Sequence, residues 1–537
     1  MENILNKKDW KNILILLPIS IFAFFSTIWV RPADLMEARN FITAREMIKN
    51  NNFLVPTLNG FLRFEKPPLP TWFTAFIMKI TGNFTEEWIL RIPAAVSTIM
   101  FIFLLYYFVK ILTKDSKKSF VTAFVGTTTF MLIKVGNENA WDIYPYIFAF
   151  GCITFMIKGF STEKTKDFLI GGIFLAASLM SKGPVGIYGL IIPFFIAYGI
   201  SFGTENYRKN FKKIIFMLFV GIVLGSIWGI MMYTKYPEYF ISVLIKEENT
   251  WTTRHTKSFV YYMDYFVYMG VWIFFSFMAL AKNWSERRSD NKNYSKFIFL
   301  WNILVILFLS FIKMKKKRYG LPIYMTSALN VGMICTYYKN RVWSELKKSD
   351  KILLYTQGAF IVFVSFAIPL VIFIRGYLDK QVGILYMFTL FIIFIPFGYF
   401  SIKAFTNKKT WLTKFIVFGS GVFMLIVNGT TNYFFDKNMA RKNYNTSDYP
   451  KIKVVRKNPP KYEIYAQNFE IEDVWQVGKQ IKIFENDKEN TTFPEEFIFF
   501  GTIPKNILEK YEITKKEIYV KDNGDLAELN YLKKMEV

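Results

Sequence analysis

The sequence predicts a polytopic α-helical membrane protein that carries a small α+β domain at its C-terminal end. Three observations predict it. Apolar residues come in blocks of about 20, the length that crosses a hydrocarbon core as a helix. Lys and Arg gather in every second loop between those blocks, as cytoplasmic loops do. From about residue 436 the long blocks stop and short runs such as Phe497-Ile-Phe-Phe500 replace them, a strand-like texture.

Composition agrees. The 537 residues are 53% hydrophobic and 19% aromatic, with 59 Phe and a mean hydropathy of +0.24. That is too apolar for an ordinary soluble enzyme of this length. The formal net charge of +26 is explained by the basic cytoplasmic loops. No separate basic soluble domain points to nucleic acid. Cys152 and Cys335 fall inside apolar blocks and read as core residues, not as a disulfide or metal pair. A single histidine, His255, excludes a site built on several His ligands. No glycine-rich phosphate loop appears, so no nucleotide cofactor is expected.

In chain order, Lys7, Lys8 and Lys11 precede the first block, Ile13 to Val30, which reads as a retained signal anchor with its N-terminus inside. An external loop follows over 31–92. It predicts a helix at about 35–49, with Asp34 as N-cap. Ala38, Phe41, Ile42, Arg45 and Ile48 recur at helical spacing and suggest a helix lying on the membrane interface. Pro67, Pro68 and Pro70 break the chain, and Leu69–Ile80 forms a second interfacial helix with Trp72 and Phe73 at headgroup depth. Further blocks lie near 93–113, 119–135, 140–158, 168–181, 184–202, 214–233, 260–281, 297–313, 320–338, 353–375, 382–403 and 415–434. With the first, these make about thirteen spans. The basic loops include Lys282/Arg287/Arg288/Lys292, Lys339/Arg341/Lys347/Lys348 and Lys403/Lys408/Lys409. An odd count places the C-terminus outside, and a second external loop spans 234–259. Residues 1–435 are thus the membrane domain. Residues 436–537 form the external α+β domain, with strands at Lys451–Arg456, Tyr462–Tyr465 and Phe497–Phe500 and a helix at Pro504–Tyr511.

The candidate functional residues are charges set beside the bilayer, where they are costly unless water, a partner or a ligand meets them. One stretch breaks the alternation: Lys313-Met-Lys-Lys-Lys-Arg-Tyr319 falls outside in this threading. Either the threading slips there, or Lys315, Lys316, Lys317 and Arg318 hold a lipid-linked phosphate. Lys182 is a further cation at an external span end, where a lysine can also simply snorkel. The acids on this side are Asp34, Glu37, Glu65, Asp142, Glu247 and Glu248, the last two near Arg254 and His255. Taken singly each reads as a solvated or ion-paired loop residue. Together they mark one face of the membrane.

The ordered set resembles the bacterial aminoarabinose transferase family and the wider protein-mannosyltransferase-like group, integral-membrane glycosyltransferases of the GT-C type. The carriers are Glu37-Ala-Arg39 with Ala44-Arg-Glu-Met47, Pro56-Thr-Leu-Asn-Gly60 and Glu65-Lys-Pro-Pro68. Asp142, Met180-Ser-Lys-Gly183, Trp228 before Pro237, Glu247 and Arg318-Tyr-Gly-Leu-Pro322 follow in the same order. The resemblance implies a GT-C-like fold. It implies transfer of a sugar from a polyprenyl-phosphate donor to a lipid A-like, envelope glycan or protein acceptor, on the periplasmic side of the bacterial inner membrane. The family opens its first external helix with an Asp-Glu pair and takes the Asp as catalytic. Here Met36 holds the Asp position, so either Glu37 takes the role, or Asp34 reaches in from two residues upstream, or the chemistry is altered; Glu37 is preferred because it matches the second acid of the pair. Arg39, Lys66, Lys182, Lys315–Lys317 and Arg318 become the donor-phosphate ligands, and Asp142, Glu247, Arg254 and Tyr319 the substrate contacts. The family's His after Glu247 is Glu248 here. A metal held by Glu65 and Glu248 would therefore be Mg²⁺, Mn²⁺ or Ca²⁺, which prefer oxygen ligands.

The chemistry fits the residues. A departing phosphate is stabilised by Arg and Lys in a water-shielded site, and with one His the acceptor's base is a carboxylate. The competing class is a multi-pass transporter of an envelope lipid or anionic solute. It fits less well, because the charges cluster on one face and not on paired broken helices at mid-bilayer.

Overall fold

A computed structural model describes residues 4–378, 382–407, 412–439, 449–484 and 493–535. The basic pair Lys408/Lys409 lies outside them. The chain divides into two compact units: Met1–Ile28, Phe64–Leu69 and Pro93–Phe434 form the first, and Trp29–Arg63, Pro70–Ile92 and Phe435–Val537 the second.

The first unit is helical. Helix Lys7–Phe25 opens with a reciprocal cap: Asn6 Oδ1 accepts from the Lys8 and Asp9 amides, and the Asp9 carboxylate accepts from the Asn6 amide. Seven described helices are long and apolar enough to cross a membrane: Glu87–Thr113, Ile143–Thr162, Phe211–Lys235, Lys292–Phe311, Lys348–Tyr377, Ile384–Thr406 and Leu412–Thr431. An eighth is Ser116–Thr127 with Phe130–Gly136, bent by 63°.

Two expected spans are built otherwise. The 119–135 block bends at Thr128 and Thr129, whose hydroxyls donate back to the Phe124 and Val125 carbonyls, a bond that bends helices. The 260–281 block is no continuous helix. It runs as 3₁₀ turns, Phe259–Tyr262 and Tyr265–Trp272, then a short helix, Ile273–Met278. Gly270 sits there at φ 68° with Phe130 Cβ 2.8 Å from where its own Cβ would stand, so only glycine fits.

Helix Thr165–Lys182 packs against both Ile143–Thr162 and Phe211–Lys235. Its Gly172 would place a Cβ 2.8 Å from the Met217 carbonyl oxygen, and Gly221 and Gly225 of the neighbour meet Leu175 and Leu179. In lipid, close backbone approach through small residues replaces the hydrophobic drive between helices. Lys292–Phe311 and Leu321–Lys339 are tied by Asn302, whose Nδ2 donates to Thr326 Oγ1 and Ser327 Oγ, both at 2.8 Å.

The second unit joins the first loop to the C-terminal residues. Helix Leu35–Lys49 starts at Asp34, whose carboxylate accepts from the Met36 and Glu37 amides at 2.9 Å. Its apolar face was expected on the membrane interface. Instead Ala38, Phe41, Ile42 and Ala44 pack with Ile452, Ile464, Trp475, Ile481 and Leu529 in one core. Strands Thr57–Leu58 and Phe61–Leu62 form a hairpin across Asn59 and Gly60, both at positive φ, the usual Asn-Gly turn. The Asn59 side chain clasps Ile481: its Nδ2 donates to the carbonyl at 2.8 Å and its Oδ1 accepts from the amide at 2.9 Å. Helix Leu69–Thr81 matches the second expected helix, and Trp72 Nε1 donates to the Phe53 carbonyl at 2.7 Å.

The sheet runs in the order Ile481–Ile483, Ile464–Ala466, Glu496–Phe500, Leu526–Lys534, Tyr511–Val520, parallel over the first three strands and antiparallel after. The strand expected at Lys451–Arg456 is a short helix, Lys453–Lys457. Only Lys451 pairs with a strand, at Val520, and burial of Arg456 against Glu87 at 2.9 Å turns the chain away from extension. The expected helix after Pro504 is the short Lys505–Leu508.

Candidate active site

The first unit gathers the charges that flank its spans. Asp142 immediately precedes helix Ile143–Thr162 and is 1% exposed. Lys182 ends helix Thr165–Lys182, which Gly183 stops at φ 69°. Arg318 and Tyr319 lie in the turn Lys317–Gly320, just before helix Leu321–Lys339. Lys182 hydrogen-bonds Asp142 directly, and its Nζ stands 4.4 Å over the Tyr319 ring. Arg318 reaches Asp142 at 3.6 Å and Glu138 at 3.7 Å. Burial pushes the Asp142 carboxyl up, but Lys182, Arg318 and more weakly Lys66 outweigh it and hold it below its ordinary value.

Lys66 comes from the Phe64–Leu69 segment. Phe64 anchors that segment among Trp228, Tyr236, Tyr239 and Phe240, with ring centroids 5.1–6.4 Å apart. Lys66 Nζ pairs with Glu247 of helix Pro237–Thr253 at 2.8 Å. These two side chains are 16% and 26% exposed, so this pair is the more open one. Glu65 is half-buried beside it, and burial, with Glu65 adding to it, raises the Tyr239 phenol. Lys66, Lys182 and Arg318 therefore face Glu138, Asp142 and Glu247. Glu65 adds a fourth carboxylate beside these three cations.

Lys317 and Lys315 are engaged elsewhere. Lys317 is bound by Asp264 at 2.6 and 2.8 Å and lies 3.9 Å over the Tyr261 ring. Lys315 is buried and donates to the Lys257 carbonyl at 3.2 Å, and burial lowers its pKa. Its amide and the Lys313 carbonyl pair with His255 and Lys257. The Lys316 carbonyl accepts from the Tyr262 hydroxyl at 3.2 Å. Glu248 and Arg254 are exposed. Among the described residues no three His, Cys, Asp or Glu side chains gather as metal ligands.

In the second unit Asp34 is spent as the helix cap. Glu37 is 1% exposed and both its oxygens are held by Arg91, at 2.7 and 2.6 Å. Arg39 is half-buried, and its carbonyl accepts from Arg63 at 3.0 Å. Glu138, Arg91 and Asp264 were not singled out in the sequence. Glu138 had a signal, a charge four residues before Asp142 at the same span end.

Residues 65–224 match the dolichyl-phosphate-mannose-protein mannosyltransferase family. An uncharacterized protein of Aquifex aeolicus (strain VF5) is 25% identical over 331 residues, 59% of this chain and 62% of the relative. The undecaprenyl phosphate-alpha-4-amino-4-deoxy-L-arabinose arabinosyl transferase of Shewanella sediminis (strain HAW-EB3) is 23% identical over 414 residues, 73% of this chain and 72% of the relative. The crystal structure of ArnT from Cupriavidus metallidurans bound to undecaprenyl phosphate superposes with a TM-score of 0.70 at 13% identity, covering 98% of both chains. The resemblance read from the sequence thus holds in fold as well. This chain has the GT-C fold of the integral-membrane glycosyltransferases and is similar in sequence to the undecaprenyl phosphate-aminoarabinose arabinosyl transferases.

Proposed function

We propose that the protein transfers a sugar from a polyprenyl-phosphate donor to a lipid A-like, envelope glycan or protein acceptor at the outer face of the bacterial cell membrane. The observation that carries this reading is the set Lys66, Lys182 and Arg318 around buried Asp142, within a GT-C fold. The named relatives supply the carrier class: an arabinosyl transferase of undecaprenyl phosphate-aminoarabinose, and a structure bound to undecaprenyl phosphate. The threading through about thirteen spans, with residues 436–537 outside, belongs to the same proposal.

The donor's anomeric carbon–oxygen bond breaks as the acceptor oxygen attacks, and charge grows on the departing phosphate. Preorganised cations are most effective at that point. The phosphate takes Lys66 in exchange for Glu247, the more open of the pairs, while Asp142 keeps Lys182 and Arg318 aligned behind it. Direct displacement inverts the anomeric centre. The acceptor's proton goes to a carboxylate. Glu37 can take it only if Arg91 lets go, whereas Glu65 stands next to Lys66 and is the carboxylate this geometry favours. Among the described residues no third carboxylate, His or Cys joins Glu65 and Glu248 as a metal-ligand group.

The test uses membranes containing the protein and a radiolabelled polyprenyl-phosphate sugar. Release of free polyprenyl phosphate with label on an acceptor supports transfer. Uptake of intact substrate into sealed vesicles without bond cleavage overturns it in favour of transport.

A further inference from the structure

We propose a second anion site at the opposite end of the helix bundle, a cleft that takes a phosphate-ester group from an anionic phospholipid or a soluble phosphate compound. Arg287 and Arg288 precede helix Lys292–Phe311, whose far end leads into Lys313–Tyr319. Tyr337 lies in the last turn of Leu321–Lys339, whose first turn follows Arg318. At 1.5 Å per residue each helix is about 30 Å long, the thickness of a hydrocarbon core. The cleft and the Asp142 cluster therefore sit at opposite ends of these two helices.

The cleft has a volume of about 280 Å³, roughly nine waters' worth of liquid and room for a phosphate with part of its ester. Arg287, Arg288 and Lys347 line it with Trp284, Tyr337 and Ser349; among the described residues no carboxylate lines it, and Asp350 pairs Arg288 from outside the lining. An adjoining cavity of about 190 Å³ shares Arg288 and Tyr337 and adds Lys118 and Arg341, with Asp290 its one acid.

Loop lysines that only set topology point into water. This cleft has a fixed floor. The Arg288 side chain is 5% exposed, and its guanidinium carbon stands over the Trp284 ring, 3.6 Å from its centre. Its Nε donates to Asp350 at 2.6 Å, Nη1 to the Trp284 carbonyl at 2.6 Å and Nη2 to Ser349 Oγ at 3.2 Å. Ser349 accepts that bond and keeps its own O–H to give. Helix Lys348–Ile372 begins at the same place, and its N-terminus adds partial positive charge. Exposed Arg287 and Lys347 complete the charge. Basic pockets between spans on a cytoplasmic surface suit anionic headgroups.

The test is native mass spectrometry and thermal unfolding of the full chain in a nonionic detergent. The added probes are phosphatidylglycerol, phosphatidylcholine of the same acyl chains, and inorganic phosphate. The expected result is phosphatidylglycerol binding that weakens about tenfold or more in Arg287→Gln/Lys347→Gln, two exposed positions whose change leaves the fold intact. Competition by inorganic phosphate assigns the cleft to a soluble phosphate compound, and no competition assigns it to the lipid. Equal binding of phosphatidylcholine, or an unchanged affinity in the double variant, overturns the proposal.

Discussion

Arg91 holds both carboxylate oxygens of Glu37, Nε to Oε1 at 2.7 Å and Nη2 to Oε2 at 2.6 Å, while its Nη1 donates to the Arg31 carbonyl at 2.7 Å. Both side chains are 2% exposed. Removing one partner of such a pair leaves a buried charge and costs about 3–5 kcal/mol, whereas removing both costs far less. Glu37→Gln is expected to lower the unfolding temperature sharply, and Glu37→Gln/Arg91→Gln to recover most of it. Transfer measured per folded molecule separates the roles: it persists in the double variant if Glu37 serves the fold, and is lost there if Glu37 is the base.

Asp142 faces the same logic with two cations. Asp142→Asn leaves Lys182 and Arg318 without their shared carboxylate. The variant is expected to lose about 3 kcal/mol or more of stability and most of its transfer, read by thermal unfolding and by donor turnover.

The pH dependence has a definite sign. Burial raises the Asp142 carboxyl, but the cations depress it below its usual 3.8. A depressed carboxylate gives stability that is complete above the unfolded value and is lost as pH falls through the folded one. Unfolding temperature in detergent is expected to hold down to about pH 4 and to drop below it, with a shallower drop in Asp142→Asn.

Lys66 and Lys317 make opposite predictions, although both are lysines on the proposed donor side. Lys66→Ala removes a charge-assisted bond worth about 1.5–3 kcal/mol, so donor KM is expected to rise about tenfold or more. Lys317 is already committed to Asp264, and Lys317→Ala is expected to change donor KM less than threefold. Steady-state kinetics over a range of donor concentrations checks both.

Gly172 tests the helix packing. A Cβ there stands 2.8 Å from a backbone oxygen that has no side-chain freedom to move. Gly172→Ala is expected to cost about 1–3 kcal/mol, seen as a lower unfolding temperature with the donor KM unchanged.

Local signals in the sequence were reliable where the cause was local. Asp34 caps its helix because its carboxylate reaches two amides within three residues, and the helix over 35–49 followed from its apolar spacing. The destination of that apolar face did not follow, since Trp475 and Ile481 lie more than four hundred residues away along the chain. The same holds for Glu37. Its charge marked it as notable, but only folding brings Arg91 to it. Lys451–Arg456 shows tertiary context overriding a β-branched run, because Arg456 is drawn to Glu87. Apolarity alone did not separate a spanning helix from the 3₁₀ turns around Gly270. The Asp142–Lys182–Arg318 grouping was legible as one-sidedness of charge, not as geometry.

The compact unit built from Trp29–Arg63, Pro70–Ile92 and Phe435–Val537 sets an order of assembly. Its first two pieces leave the ribosome before residues 93–434 and its last piece after them. Throughout that interval Phe41 and Ile42 have only the early part of their core, Ala75, Met78 and Leu90, and not Trp475, Ile481 or Leu529. The nascent protein must shelter this surface, against lipid or a chaperone, until the final strands arrive. A chain cut short near its end would forfeit the early helix as well as the missing strands.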